Sequence, residues 1–210
     1  FQYFCFEIQP QMQRYADALN KKLIASPFTT ELNKAEYFTY LRSVKKSIEL
    51  FRTENIPLQA ELSVLQQQYG TIAGKMTIDM NGQEYTLQQA SQFLENEDRL
   101  IREEAYKKIQ ERRLQDQDTL HELFTTLIQK RHQVAVNAGF ANYRDYKFAE
   151  LGRFDYSKED CFQFHEAIKL HVLPLVDKIY NRKKQKLGLA ILKPWDTEAE
   201  PAGTQPLRPF

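Results

Sequence analysis

Apolar side chains recur at every third or fourth position along most of this chain, and that rhythm confines it to helices. Beyond Pro10, the residues Met12, Tyr15, Leu19, Leu23 and Ile24 fall on one helical stripe, which Ser26-Pro27 ends. A second helix is predicted from Lys34 to Glu54, because Tyr37, Tyr40, Leu41, Val44, Ile48 and Phe51 share a face that Arg42, Lys45, Lys46 and Glu49 avoid. Asn55-Ile-Pro breaks it, and Pro57 suits the first turn of a third helix running to about Tyr69. Only 7 of 210 residues are glycine, while Gln, Glu, Lys, Leu and Ala dominate most windows, so little of the chain favours another state. For the first eight residues (Phe1, Tyr3, Phe4, Phe6 and Ile8 are apolar), a strand and a helix end fit equally well.

One stretch breaks the rhythm. Lys75 to Leu87 holds two short alternating runs joined by Asn81-Gly82, the pair preferred where both turn residues need positive φ, and it predicts a β-hairpin near 75–87. The fold class expected is therefore all-α with one short hairpin. Asp98 then opens a helical stretch reaching Ala138, with Gly139 as its stop. Its apolar positions thin out between Ile109 and Leu120, so either one helix is exposed in its middle or two meet near Gln115 to Asp118. Ser157-Lys-Glu-Asp has capping-box spacing and starts a helix to Leu187, with Gly188 beyond and a kink expected at Pro174. From Lys193 the chain reads as extended and proline-rich, with Pro194, Pro201, Pro206 and Pro209.

The charges nearly cancel, with 29 Lys plus Arg against 28 Asp plus Glu, so no overall field draws this chain to nucleic acid or an anionic membrane. A share of 42% hydrophobic and 27% charged residues belongs to a folded chain. No window approaches the 18 or so apolar residues of a membrane span. Cys5 and Cys161 form neither a disulfide framework nor a zinc knuckle, and a reducing cytoplasm is the expected location.

Candidate chemistry is sparse. His165-Glu166 and His121-Glu122 each resemble half of a His-Glu-x-x-His zinc motif, in which histidines four apart face one metal and the glutamate activates a water. The histidine after His165 is His171, turned by roughly 240° to another face, and position 125 is Thr125. No metal or catalytic residue is assigned. Arg182-Lys-Lys-Gln-Lys reads as a solvated last helical turn whose cations complement the helix dipole. Tyr143, Tyr146, Phe148, Phe154, Tyr156, Phe162 and Phe164 concentrate aromatics between two helices. With only Lys147 and Arg153 interleaved they read as a packed corner and not a nucleic-acid platform. Tyr143, Tyr146 and Arg153 are the candidates for contact with a substrate.

Several motifs in order carry a resemblance. Asp98-Arg-Leu-Ile-Arg-Glu-Glu-Ala-Tyr, Leu127-Ile-Gln-Lys-Arg-His-Gln-Val-Ala and Asn137-Ala-Gly-Phe-Ala-Asn-Tyr-Arg-Asp-Tyr resemble the oligoendopeptidase F and thimet oligopeptidase family of zinc metallopeptidases. Gly152-Arg-Phe-Asp-Tyr, Cys161-Phe-Gln-Phe-His and Leu192-Lys-Pro-Trp-Asp extend the likeness toward the bacterial oligoendopeptidase F branch. Leu41-Arg-Ser-Val-Lys-Lys, Phe51-Arg-Thr-Glu-Asn-Ile-Pro-Leu and Thr86-Leu-Gln-Gln-Ala carry it upstream.

The resemblance implies a larger two-lobed helical peptidase with a central channel, which uses zinc to cut short peptides. Its His-Glu-x-x-His has no counterpart in this chain. The expectation is a fragment of the N-terminal half: 1–95 a helical region with the hairpin, 96–192 the helical start of the peptidase domain, 193–210 a connector to a missing C-terminal part. Such a piece would be non-catalytic channel wall and scaffold, with short peptides and the rest of its own chain as partners, no zinc of its own and a tendency to self-associate. The alternative is a free-standing helical module that binds peptides without cutting them.

Overall fold

In the computed structural model, residues 1–201 and residue 204 are described. Nine α-helices and one hairpin make up the described chain: α1 Gln9–Ala25, α2 Lys34–Leu50, α3 Asn55–Gly74, β1 Thr77–Met80, β2 Gln83–Thr86, α4 Leu87–Ala90, α5 Arg99–Gln115, α6 Gln117–Asn137, α7 Tyr143–Glu150, α8 Lys158–Ala167 and α9 Leu173–Lys186. The fold is all-α with one two-stranded antiparallel sheet. Of the proline-rich stretch from Lys193, residues 202, 203 and 205–210, with Pro206 and Pro209, lie outside the described residues.

The local signals act as their chemistry requires. Asn81 (φ 57°) and Gly82 (φ 80°) both sit in the left-handed region, and Met80 pairs with Gln83 across the two-residue turn. Asp98 caps α5 by accepting from the Leu100 N–H at 2.9 Å. The thinning of apolar residues after Ile109 marks a real break: α5 ends at Gln115, Asp116 leaves helical geometry at φ −100° and ψ 11°, and α6 begins at once. At the other end of α6, Gly139 (φ 88°) lets the Phe140 N–H return to the Ala135 carbonyl at 2.9 Å. This is a Schellman stop that a side chain with Cβ would strain.

Two prolines leave the same mark. Pro10 and Pro174 each sit at the second position of a helix and cannot donate backward. In both places the preceding turn widens into a π turn, Phe4–Ile8 and Ile168–Val172. The Gln9 N–H donates to the Phe4 carbonyl, and that of Leu173 to the Ile168 carbonyl. The disturbance expected at Pro174 takes this form, and the first residues, open between strand and helix end, are helical.

The chain forms two compact units interleaved in sequence. The first comprises Phe1–Gly70 and Thr119–Ser157, the second Thr71–Asp118 and Lys158–Phe210. In the first, α1 packs on α2 and α2 on α7, over buried Cys5, Val44, Ile56, Ala60, Leu62, Val134, Ala135 and Tyr146. Asn55, 2% exposed, pins α3 to α6: its Nδ2 donates to the Val134 carbonyl at 2.9 Å and its Oδ1 accepts from Asn137 Nδ2 at 2.8 Å.

In the second unit the hairpin's inner residues Ile78 and Met80 pack with Ala90, Ala105 and Ile109 of α4 and α5. Tyr85 and Phe93 meet edge-to-face at 5.1 Å beside them. The turn Pro194–Asp196 docks on α5 through the fully buried Asp196. That carboxylate accepts from Arg99 Nε (3.0 Å) and Nη2 (2.9 Å), Arg102 Nη2 (3.0 Å) and the Lys193 N–H (2.9 Å). No residue of α8, α9 or the π turn between them is buried.

Candidate functional site

The aromatic corner is built from the end of α6 onward. After Gly139 stops that helix, Asn142 caps α7, accepting from the Asp145 N–H at 3.0 Å. Residues three apart on a helix share a face, so Tyr143 and Tyr146 stack at 5.9 Å with 29° between their planes. Residues four apart do so too, and the Tyr146 hydroxyl donates to Glu150 Oε1 at 3.3 Å. Phe140 meets Tyr146 edge-on at 5.7 Å, which closes the ring over the phenol.

Tyr146 is 3% exposed. Burial pushes its pKa well above the ordinary tyrosine value, and the neighbouring Glu150 charge pushes the same way. The phenol therefore stays protonated, as a donor. Together with Gln59 and Glu150 it lines two clefts of about 440 Å³ and about 330 Å³, which Gln13 of α1 also borders.

Of the three residues singled out from sequence, Tyr143 and Tyr146 come together, the first half-buried and the second in the core. Arg153 stands apart from them and exposed, its guanidinium over Phe148 (5.1 Å) and near Tyr156 (6.0 Å). Phe154 belongs to another contact: Arg42 of α2 lies between Phe154 (4.4 Å) and Phe38 (5.1 Å) and pairs with Asp155 through two nitrogens at 3.1 and 3.4 Å. Phe162 and Phe164 stand exposed on α8.

Arg131 is the residue that sequence reasoning passed over. It continues the α6 stripe of Leu120, Leu123, Phe124 and Leu127, and its guanidinium lies 5.9 Å from the Tyr143 ring centre. The signal was available: a cation closing an apolar stripe has no solvated face to serve.

Among the described residues no three His, Cys, Asp or Glu side chains gather to hold a metal ion. His121 borders the cleft beside α6, while His165 lies 6.4 Å from the Phe162 ring on the exposed α8. The basic run ends α9 as expected, with Lys183 donating to the Thr197 carbonyl at 2.7 Å and pairing with Glu200 at 3.3 Å. No described helix is long and apolar enough to cross a membrane. The arrangement consists of two clefts beside a protonated phenol and an apolar cleft that Arg131 helps to line.

Comparison with known proteins agrees with the motifs. The chain is similar in structure to an oligoendopeptidase F from Bacillus anthracis str. Ames, with a TM-score of 0.87 and 23% identity over 95% of this chain and 37% of that one. A second oligoendopeptidase F structure gives 0.88 and 24% over 94% of this chain and 35% of the other. PZ peptidase A, solved with an inhibitor, gives 0.86 and 23% over 93% and 34%. The chain thus spans about a third of the length of these proteins, and the likeness is one of fold. No curated protein sequence matches it at a significant level. The sequence model of Peptidase family M3 matches residues 92–206, more than half of the chain. On that match, with the helical architecture on which its motifs sit, the chain belongs to Peptidase family M3.

Proposed function

We propose that this chain is the non-catalytic front portion of a zinc-dependent oligoendopeptidase that hydrolyses short peptides. One observation carries the reading: along 95% of its length the chain overlays on only 37% of an oligoendopeptidase F. The residues in hand do not fit a zinc site, because none of the described His, Cys, Asp or Glu side chains cluster in threes. The metal, which in such an enzyme would polarise the scissile carbonyl and activate water, would be held by other parts of the same protein. This portion would supply channel wall and the support of helices that approach the site.

The exposed apolar side chains of 158–186 support the same reading. Phe162, Phe164, Leu170, Leu173, Leu175 and Ile179 are each 51–65% exposed. Apolar side chains exposed on several sides of a helical segment mark surface that another part of a protein covers. Left uncovered, it would drive self-association of the isolated chain.

The test is the coding sequence beyond codon 210. A His-Glu-x-x-His within the following few hundred codons is expected; a coding sequence that ends without one overturns the proposal. With the motif present, the intact protein should retain zinc on gel filtration and cleave short peptides, and replacing the motif glutamate should abolish cleavage.

A further inference from the structure

On α6, Leu123 and Leu127 are buried, while Phe124, on the same face, is 58% exposed. Across from them α3 presents Gln66 and Tyr69, and the cleft between the two helices holds about 480 Å³. That is the size of a site for a few amino-acid side chains. Its walls are apolar, and Arg131 stands among its lining residues.

Arg131 forms no ion pair among the described residues. Arg42, Arg99, Arg102 and Arg112 each pair with an aspartate, and Lys130, the residue before it, pairs with Glu61. Arg131 Nε is buried and has no hydrogen-bond partner among the described residues. The guanidinium rests against the Tyr143 ring, which holds a cation in place without neutralising it. A guanidinium's planar fork matches the two oxygens of a carboxylate.

We propose that this cleft takes the carboxylate end of a short peptide. The terminal carboxylate pairs with Arg131, and the last apolar side chain lies against Leu123, Phe124 and Leu127. An internal stretch of peptide offers only neutral carbonyls at the same place, so the cleft distinguishes the end of a peptide from its middle. The proposal rests on the reading that peptides are this protein's substrates.

The experiment is fluorescence anisotropy of the 210-residue chain with dye-labelled pentapeptides ending in Leu or Phe, each as free acid and as C-terminal amide. The free acid should bind about tenfold tighter than the amide, the difference between a charged and a neutral hydrogen-bond acceptor. Arg131→Gln should remove that preference, Arg131→Lys should keep part of it, and Phe124→Ser, at an exposed position, should weaken acid and amide alike. Melting curves of the variants verify folding. Equal binding of acid and amide, a preference that survives Arg131→Gln, or no binding of either peptide overturns the proposal. The peptidase reading is decided separately, by the coding sequence past codon 210.

Discussion

Replacing Asp196 by Asn should cost the second unit about 3 kcal/mol, and the loss should vanish in acid. The side chain is fully buried and accepts four hydrogen bonds, three of them from arginines. Arg99 is 40% exposed and can turn to water, but Arg102 is 4% exposed and cannot. Losing the anion beside such a cation costs about 3–5 kcal/mol. Arg102 also donates to the carbonyls of Asn96, Glu97 and Trp195, which puts the estimate at the lower end. An amide of the same shape fails because its NH₂ would face other donors.

The pH dependence gives an independent figure. Burial alone would raise the Asp196 pKa, but hydrogen bonds from Arg99, the Lys193 N–H and Arg102 hold it at about 2, below its ordinary 3.8. A carboxyl depressed on folding stabilises above its unfolded pKa, and that stability is lost as pH falls through the folded one. Here the shift amounts to about 2 kcal/mol, present above pH 3.8 and gone near pH 2.

The chain's single tryptophan is the adjacent Trp195, packed 5.7 Å from Tyr106, so urea unfolding followed by its emission reads the right region. At pH 7 the midpoint should fall by roughly 1–2 M in Asp196→Asn, and the gap to the unmodified chain should narrow as pH drops from 4 toward 2. Equal midpoints at pH 7, or a gap that persists unchanged at pH 2.5, would refute the reasoning.

Two further outcomes are expected in the first unit. Asn55→Ala should lose about 2 kcal/mol in denaturant unfolding, since it removes both buried links between α3 and α6, and Asn55→Asp should lose more because a carboxylate cannot donate to the Val134 carbonyl. Because the Tyr146 pKa is raised on folding, its contribution is intact below the ordinary value of 10.0 and is lost as pH rises beyond it. Alkaline titration of Tyr146→Phe should therefore show a shallower fall in stability above pH 10 than the unmodified chain.

Much of this architecture is local in origin and was legible in the residue order. Helical periodicity, the Asn81-Gly82 turn, the Asp98 cap and the Gly139 stop each act over a few residues, where φ preference and one or two backbone bonds decide the outcome. The family was legible too, because motifs of contiguous residues survive in order. Where local signals conflicted, as between Ile109 and Leu120, sequence alone left two answers, and the break at Asp116 chose one.

Contacts between distant residues needed the tertiary structure. Nothing about Asn55, Arg102 or Asp196 in isolation says that it is buried; each is tolerated inside only because partners 79, 94 and 97 positions away complete its hydrogen bonds. Arg131 shows the converse. Its place at the end of an apolar stripe is written in the order of residues, but that no carboxylate meets it among the described residues, and that Tyr143 lies beneath it, follow from packing. Periodicity assigns a residue to a face, and only the neighbouring helix decides whether the charge on that face is paired or left for a ligand.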